Sequence, residues 1–214
     1  MGTARNGDVE SFDRRAATYD DGRLGRWHAD VVAKVADLVA REGDRQRAQV
    51  LDIGCGTGTL LDTLAGRLPQ VACLTGIDPA AGMLDVAARR ISDPRVRLEQ
   101  ASAERLPLGE DSSDLVVASL SFDHWSDQSA GLREAARVLT PGGTLVLADL
   151  VAWWLPATAV VSRRPRARTV GAVERLLRGA GLRPIRWQRI TSFGPLPLVQ
   201  AVVATSARGS QAGV

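Results

Sequence analysis

The chain has 214 residues, of which 45% are apolar and 24% charged. That is the balance of an ordinary globular protein, and the length suits one α/β domain better than two. Two cysteines, Cys55 and Cys73, without metal-ligand spacing argue against structural zinc and against a disulfide framework, so no metal site is expected. The net charge of +3 hides an asymmetry: residues 1–150 carry 17 basic and 23 acidic residues, whereas residues 151–214 carry 10 and one.

Residues 1–10 are polar and mixed in charge rather than a leader sequence, and with 206–214 they read as flexible ends. Residues 11–45 form an N-terminal segment containing a helix over 30–41, where Val31, Val32, Val35, Leu38 and Val39 recur at helical spacing. A core over 46–205 follows, in which apolar runs alternate with helical patterns. Strands are expected at 49–53, 73–78, 96–100, 114–119 and 144–150, and helices at 59–67, 80–90 and 129–139. A helix over 169–180 with Thr169 as its N-cap and Gly181 past its end leads into strands at 185–190 and 198–205. The apolar stretch 145–161 is broken by Asp149 and Pro156, so it reads as a buried strand plus an apolar loop, not a membrane span. Alternation of this kind requires a mostly parallel sheet with helices on both faces. Ligands in such sheets sit beyond the carboxyl ends of the strands. A cytoplasmic location is expected.

The most informative stretch is VLDIGCGTGTLL, residues 50–61. An apolar run turns through Gly54, Gly56 and Gly58 into a helix start, where unpaired N–H groups and unobstructed backbone are available to a ligand. Asp78 lies 20 residues beyond Gly58 at the end of the next apolar run, where a carboxylate can grip two ribose hydroxyls. Cys55 inside this turn is a small residue filling a tight bend, or else a reactive thiol. A nicotinamide fold usually carries G-x-G-x-x-G, but Thr59 stands where the third glycine would be.

Five segments in order resemble the class I S-adenosylmethionine-dependent methyltransferases, small-molecule type, similar to quinone-biosynthesis C-methyltransferases. They are VLDIGCGTG (50–58), LTGIDPAAGML (74–84), ASAERLP (101–107), DLVVASLSFDHW (114–125) and REAARVLTPGGTLVLAD (133–149). SFDRRAATYDD (11–21) is similar to the N-terminal lid of such enzymes. The resemblance implies a Rossmann-like, doubly wound seven-stranded sheet, mostly parallel with an antiparallel last strand. It also implies S-adenosyl-L-methionine as cofactor, with S-adenosyl-L-homocysteine as product. Gly54, Gly56 and Gly58, with Cys55 among them, would let the backbone approach the amino-acid end of the cofactor. Asp52 would hold its ammonium, or merely organise the loop. Asp78, followed by Pro79, would take the ribose hydroxyls. Met83 would pack on adenine, or be ordinary core. Ser102 and Ala103 would meet the adenine edge; relatives often carry aspartate where Ser102 stands, so Ala103 or Glu104 could read adenine instead. Ser119, beside Leu120, would offer its carbonyl to the ammonium, and Tyr19 would cover the cofactor from the lid or lie on the surface.

For the chemistry, His124 is the candidate base, since an imidazole titrates near neutrality; the alternative is that it only shapes the pocket. Phe122 and Trp125 would wall an apolar acceptor, and His28 would join from the lid or stay at the surface. The stretch 151–168 reads as an insertion at the acceptor site, with Trp153 and Trp154 gripping a flat substrate. Its RRPRAR run (163–168) is a solvated basic face, an anion site or a nucleic-acid contact. A small organic acceptor methylated at oxygen or carbon is the expected partner, rather than nucleic acid or a membrane, and a monomer or homodimer the expected assembly. A cofactor-binding homologue that does not methylate, or an RNA or protein methyltransferase, is the alternative.

Overall fold

The computed structural model describes residues 6–42, 48–151 and 169–208. Helix α1 (Asn6–Arg15) and a single 3-10 turn (Ala16–Thr18) precede the long helix α2 (Gly22–Glu42). Strand β1 (Gln49–Ile53), helix α3 (Thr59–Arg67), strand β2 (Cys73–Asp78), helix α4 (Ala81–Arg90) and strand β3 (Val96–Gln100) form the first half. Strand β4 (Ser113–Ser119), a 3-10 turn (Phe122–His124), helix α5 (Gln128–Val138), strand β5 (Leu139–Leu150), helix α6 (Val170–Gly179) and strands β6 (Leu182–Phe193) and β7 (Leu196–Ser206) complete it.

The seven strands lie in the order β3-β2-β1-β4-β5-β7-β6. The first five are parallel, and β7 runs antiparallel to both β5 and β6, as the resemblance implies. Side chains alternate between the faces. Val50, Leu115, Val117, Val146 and Ala148 join the core under α2 and α3. Leu51, Ile53, Val116, Leu145 and Leu147 join the core under α5 and α6. Strands buried on both faces read as continuous apolar runs, which is why they stand out in the sequence. A third, smaller cluster of Ala16, Ala80 and Met83, with Val9, Phe12 and Tyr19 against it, seats the N-terminal segment on α4.

The N-terminal part differs most from expectation. Residues 6–10, read as a flexible end, belong to α1. Helix α2 begins at Gly22, eight residues before the expected start. Two glycines and two arginines in 22–29 obscure its apolar stripe. Gly25 is needed there, because a Cβ would lie 1.9 Å from the Asp20 carbonyl oxygen. Strand β5 starts at Leu139, upstream of the Pro141-Gly142-Gly143 turn, and pairs with β4 through a register shift between Ser113 and Leu115. Strand β6 is twice the expected length. The start of α6 is as read: Thr169 accepts from the Ala172 N–H at 3.3 Å, and Gly181, with φ of 78°, lies just beyond its end.

Candidate functional site

The carboxyl ends of β1, β2 and β4 open into one cavity, and the glycine turn forms its floor. Gly54 and Cys55 both donate to the Ile77 carbonyl, at 2.7 and 3.0 Å, which folds the turn back onto β2. All three glycines have positive φ, between 54° and 77°, but they answer to different neighbours. A Cβ on Gly54 would sit 2.3 Å from Ser121 Cβ, and one on Gly58 would sit 2.7 Å from Ile91 Cδ1 and 2.9 Å from Ala87 Cβ. A Cβ on Gly56 would meet nothing within 4 Å. Only Gly56 therefore presents bare backbone to open space next to the acids. Gly58 is not among the lining residues: it packs α3 against α4, which corrects the expectation that it approaches a ligand.

Asp78 is 8% exposed. Its Oδ2 accepts from the Gly56 N–H and its Oδ1 from the Ala80 N–H, each at 2.9 Å. Burial raises its pKa, and these two bonds oppose the rise. A carboxylate has about four acceptor directions, so both oxygens can also take a ligand hydroxyl. Asp52 is fully buried and lines the same cavity. Its Oδ1 has no hydrogen-bond partner among the described residues. Burial, and then the neighbouring Asp78 charge, push its pKa up to about 8. A buried acid lacking a partner is a costly arrangement unless a cation is to be received there.

Pro79, Met83, Ser102, Ala103, Glu104, Ser119, Leu120, His124, Trp125, Tyr19 and His28 line this cavity as well. Its empty space of about 1090 Å³, open mouth included, matches the scale of small-molecule sites. Met83 also belongs to the cluster under the N-terminal segment, so it is at once core and wall. Glu104 Oε1 accepts from the Asp127 N–H at 3.0 Å, so that carboxylate holds the start of α5. Leu120 has a φ of 54°, a conformation few non-glycine residues take, and its N–H bonds the Ala148 carbonyl at 2.8 Å. The Ser119 hydroxyl oxygen is buried without a hydrogen-bond partner among the described residues. The Cys55 thiol is buried, and burial pushes its pKa well up, which favours the small residue filling a tight bend over the reactive thiol.

Beyond the shared rim lies a second hollow, lined by Tyr19, Trp27, His28, Leu120, His124 and Asp149 among others. Tyr19 and His28 meet edge to face with centroids 5.3 Å apart, and Phe12 meets His124 in the same way at 4.9 Å. Burial pushes the His28 pKa below its ordinary value, and its Nδ1 is buried without a hydrogen-bond partner among the described residues. Burial likewise raises the Tyr19 pKa. Phe122 is corrected: it is 1% exposed, belongs to the core under α5 and packs on Trp125 rather than walling the cavity. Trp153, Trp154 and the RRPRAR run lie outside the described residues.

Two further sets of residues take part here. Asp8, Val9 and Phe12 of α1 reach the cavity, but their spacing alone carries no signal. Asp149 stands one residue before the end of β5, much as Asp78 ends β2, and that similar position is the signal the sequence offers. The N-terminal segment is tied down by two acids. Asp13 Oδ1 accepts from the Gly82 N–H at 2.7 Å. Asp20 pairs with Arg90, which also donates to the Thr57 carbonyl at 2.8 Å beside the glycine turn.

Among the described residues, no helix is long and apolar enough to cross a membrane, and no group of three or more His, Cys, Asp or Glu could hold a metal ion. The sheet order, the glycine turn and the strand-end acids define a nucleoside-cofactor fold. Residues 50–143 match the family model described as a methyltransferase domain. The malonyl-[acyl-carrier protein] O-methyltransferase of Hahella chejuensis is 35% identical over 143 residues, 67% of this chain and 49% of that protein. The ubiquinone/menaquinone biosynthesis C-methyltransferase UbiE of Campylobacter jejuni is 32% identical over 148 residues, 66% of this chain and 62% of that protein. The structure of a SAM-dependent methyltransferase from Aquifex aeolicus matches with a TM-score of 0.66 at 20% identity, over 91% of this chain and 98% of that one, which shows the shared fold. The chain spans about half to three fifths of the length of these curated relatives. Residues 50–143 are thus a methyltransferase domain of the class I S-adenosylmethionine-dependent type. S-adenosylmethionine is the cofactor of that family, and the orphaned Asp52 oxygen beside the open face of Gly56 fits its cationic amino-acid end.

Proposed function

We propose that this chain transfers a methyl group from S-adenosylmethionine to a small organic acceptor, at oxygen or carbon. One observation carries the reading: Asp52 and Asp78 flank the open face of Gly56 in a cavity that continues to His124 and His28. Bound S-adenosylmethionine supplies an electrophilic methyl group on its sulfonium. Asp52 would pair with the ammonium, and that charge would return Asp52 to its anionic form. Asp78 would hold the ribose hydroxyls, while Met83, Ser102 and Ala103 would border adenine. Ser119 and Leu120 would hold the amino-acid end through backbone groups, and Tyr19 would close the site as part of a lid over 11–28.

The second hollow would take the acceptor. Trp27, Leu24 and Leu150 would supply apolar surface, and His28 would accept or donate a hydrogen bond to it. His124, placed where the two hollows meet, would remove the acceptor proton. Much of the acceleration would come from alignment, with nucleophile and electrophile held about 3–3.5 Å apart. The relatives act, by name, on a carrier-linked malonyl group and on quinone precursors. A phenolic or quinol ring and a carrier-linked carboxylate are therefore the acceptor classes to try first. We read the protein as a cytoplasmic monomer or homodimer with nucleic acid outside its substrates.

Incubation with S-adenosylmethionine and each acceptor class, followed by mass spectrometry, should show S-adenosylhomocysteine and an acceptor heavier by one methylene. Cofactor binding with no turnover on any acceptor would contradict methyl transfer and favour a non-methylating homologue.

A further inference from the structure

The proposed roles leave one buried acid unused. Asp149, at the carboxyl end of β5, is 3% exposed. It faces the 3-10 turn Phe122–His124, which descends from the neighbouring strand. That turn lacks a cap of its own: its N-cap residue, Ser121, makes no capping bond, because the Ser121 hydroxyl donates to the Ile53 carbonyl at 2.6 Å. The first N–H groups of the turn would be buried donors without partners. Asp149 supplies the acceptor from another strand. Its Oδ2 accepts from the Asp123 N–H at 3.2 Å, and the Phe122 N–H also bonds the carboxyl. Its Oδ1 accepts from the Leu150 N–H at 2.6 Å. The carboxyl spans β5 and the turn just below the second hollow, which it also lines.

We infer that Asp149 is a positioning residue: it caps, across the sheet, the turn that carries His124, and so sets the imidazole at the junction of the two hollows. The inference rests on the proposed function only for why that placement matters; the contact itself does not depend on it. Rotation of an uncapped turn would swing His124 and Trp125 together, since the N–H of Trp125 bonds back to the Phe122 carbonyl at 3.3 Å. The electrostatics agree with an acceptor role. Burial pushes the Asp149 pKa up to about 6, the Asp123 charge adds to that rise, and the N–H groups of Leu150, Asp123 and Phe122 pull it down. Above that pH the carboxylate is ionised, and an ionised acceptor makes the stronger bonds.

The chain has two histidines, so ring-labelled protein gives two sets of imidazole signals, assigned with His28→Gln and His124→Gln. In the ligand-free protein, Asp149→Ala should move the His124 ring signals and speed hydrogen exchange at the Asp123 amide by about tenfold, the scale of one lost hydrogen bond. The Gly54 and Gly56 amides should stay in place. Binding of S-adenosylhomocysteine should stay within about threefold of wild type, below the effect of one lost hydrogen bond. Asp149→Asn, which keeps one acceptor oxygen, should fall between. His124 and Asp123 signals that superimpose on wild type in both variants would overturn the assignment. So would Asn and Ala variants that both lose the glycine-turn signals, since the carboxyl would then support the whole fold. Failure of the wild type to bind S-adenosylhomocysteine, with the His124 response intact, would count against the proposed function and leave the Asp149 assignment standing.

Discussion

The two halves of the carboxyl edge are built by different means. At the ends of β1 and β2 the site is mostly backbone: Gly54 and Gly56 with positive φ, two N–H groups held by Asp78 and a second acid, Asp52, whose Oδ1 has no partner among the described residues. At the ends of β4 and β5 it is mostly side chain: His124 on a short turn, Asp149 beneath it, and His28, Tyr19 and Phe12 arriving from the N-terminal helices. A backbone-built half has little freedom to vary, because Gly54 is imposed by Ser121 and Gly56 by its φ of 54°. A half assembled from separate segments can change its substrate by changing side chains. The first half should thus fail in stability or cofactor binding when altered, and the second in turnover alone.

The largest effect should come from Gly54→Ala. The added Cβ would overlap Ser121 at 2.3 Å, on backbone with φ of 77°, and should lower stability by about 2–4 kcal/mol in chemical denaturation. Gly56→Ala meets no atom; it should cost only about 1 kcal/mol of backbone strain and yet impair cofactor binding. Equal losses of stability in the two variants would break the distinction drawn between these glycines. Next comes His124→Gln. Once an acceptor is found, kcat should fall about 100-fold, the low end for general base catalysis, with the affinity for S-adenosylhomocysteine unchanged. A matching loss of cofactor affinity would put His124 in the wrong half.

The smallest effect concerns pH. The Asp52 pKa is raised to about 8 in the folded chain from an ordinary 3.8. The folded state therefore holds a proton that the unfolded state has released between those values. Stability of the ligand-free protein should be greatest below pH 4 on this account and decline as the pH rises to 8. The raised pKa values of Asp78 and of Asp149 (about 6) act in the same direction. Asp52→Asn should remove part of that decline, raising stability at pH 8 by about 1–3 kcal/mol, while weakening binding of the cationic cofactor. A variant as pH-sensitive as wild type would remove Asp52 from the account.

Legibility in the sequence follows the same division. Strands β1 to β4 and helix α3 were readable to within a residue, because strands covered on both faces are continuous apolar runs and the turn between them needs glycine. Asp78 was readable because a strand-end acid after a glycine turn has few other uses. Helix α1 was not, since its apolar residues Val9 and Phe12 pack on α4 only through tertiary contact with Met83 and Ala80. The true start of α2 was masked by Gly22 and Gly25, and the second of these is required by the Asp20 carbonyl, a neighbour no local pattern reveals. The place of Phe122 is not legible because a 3-10 turn sends side chains two residues apart in different directions: Phe122 into the core and His124 to the cavity.

The cradle formed by the glycine turn and Asp78 is tested most directly by calorimetric titration of S-adenosylhomocysteine into the wild type and Asp78→Ala. One site per chain with a Kd on the order of micromolar, weakened about tenfold or more by loss of the carboxylate, is the predicted result. No heat of binding to a folded wild type, or equal affinity in the two proteins, would contradict it.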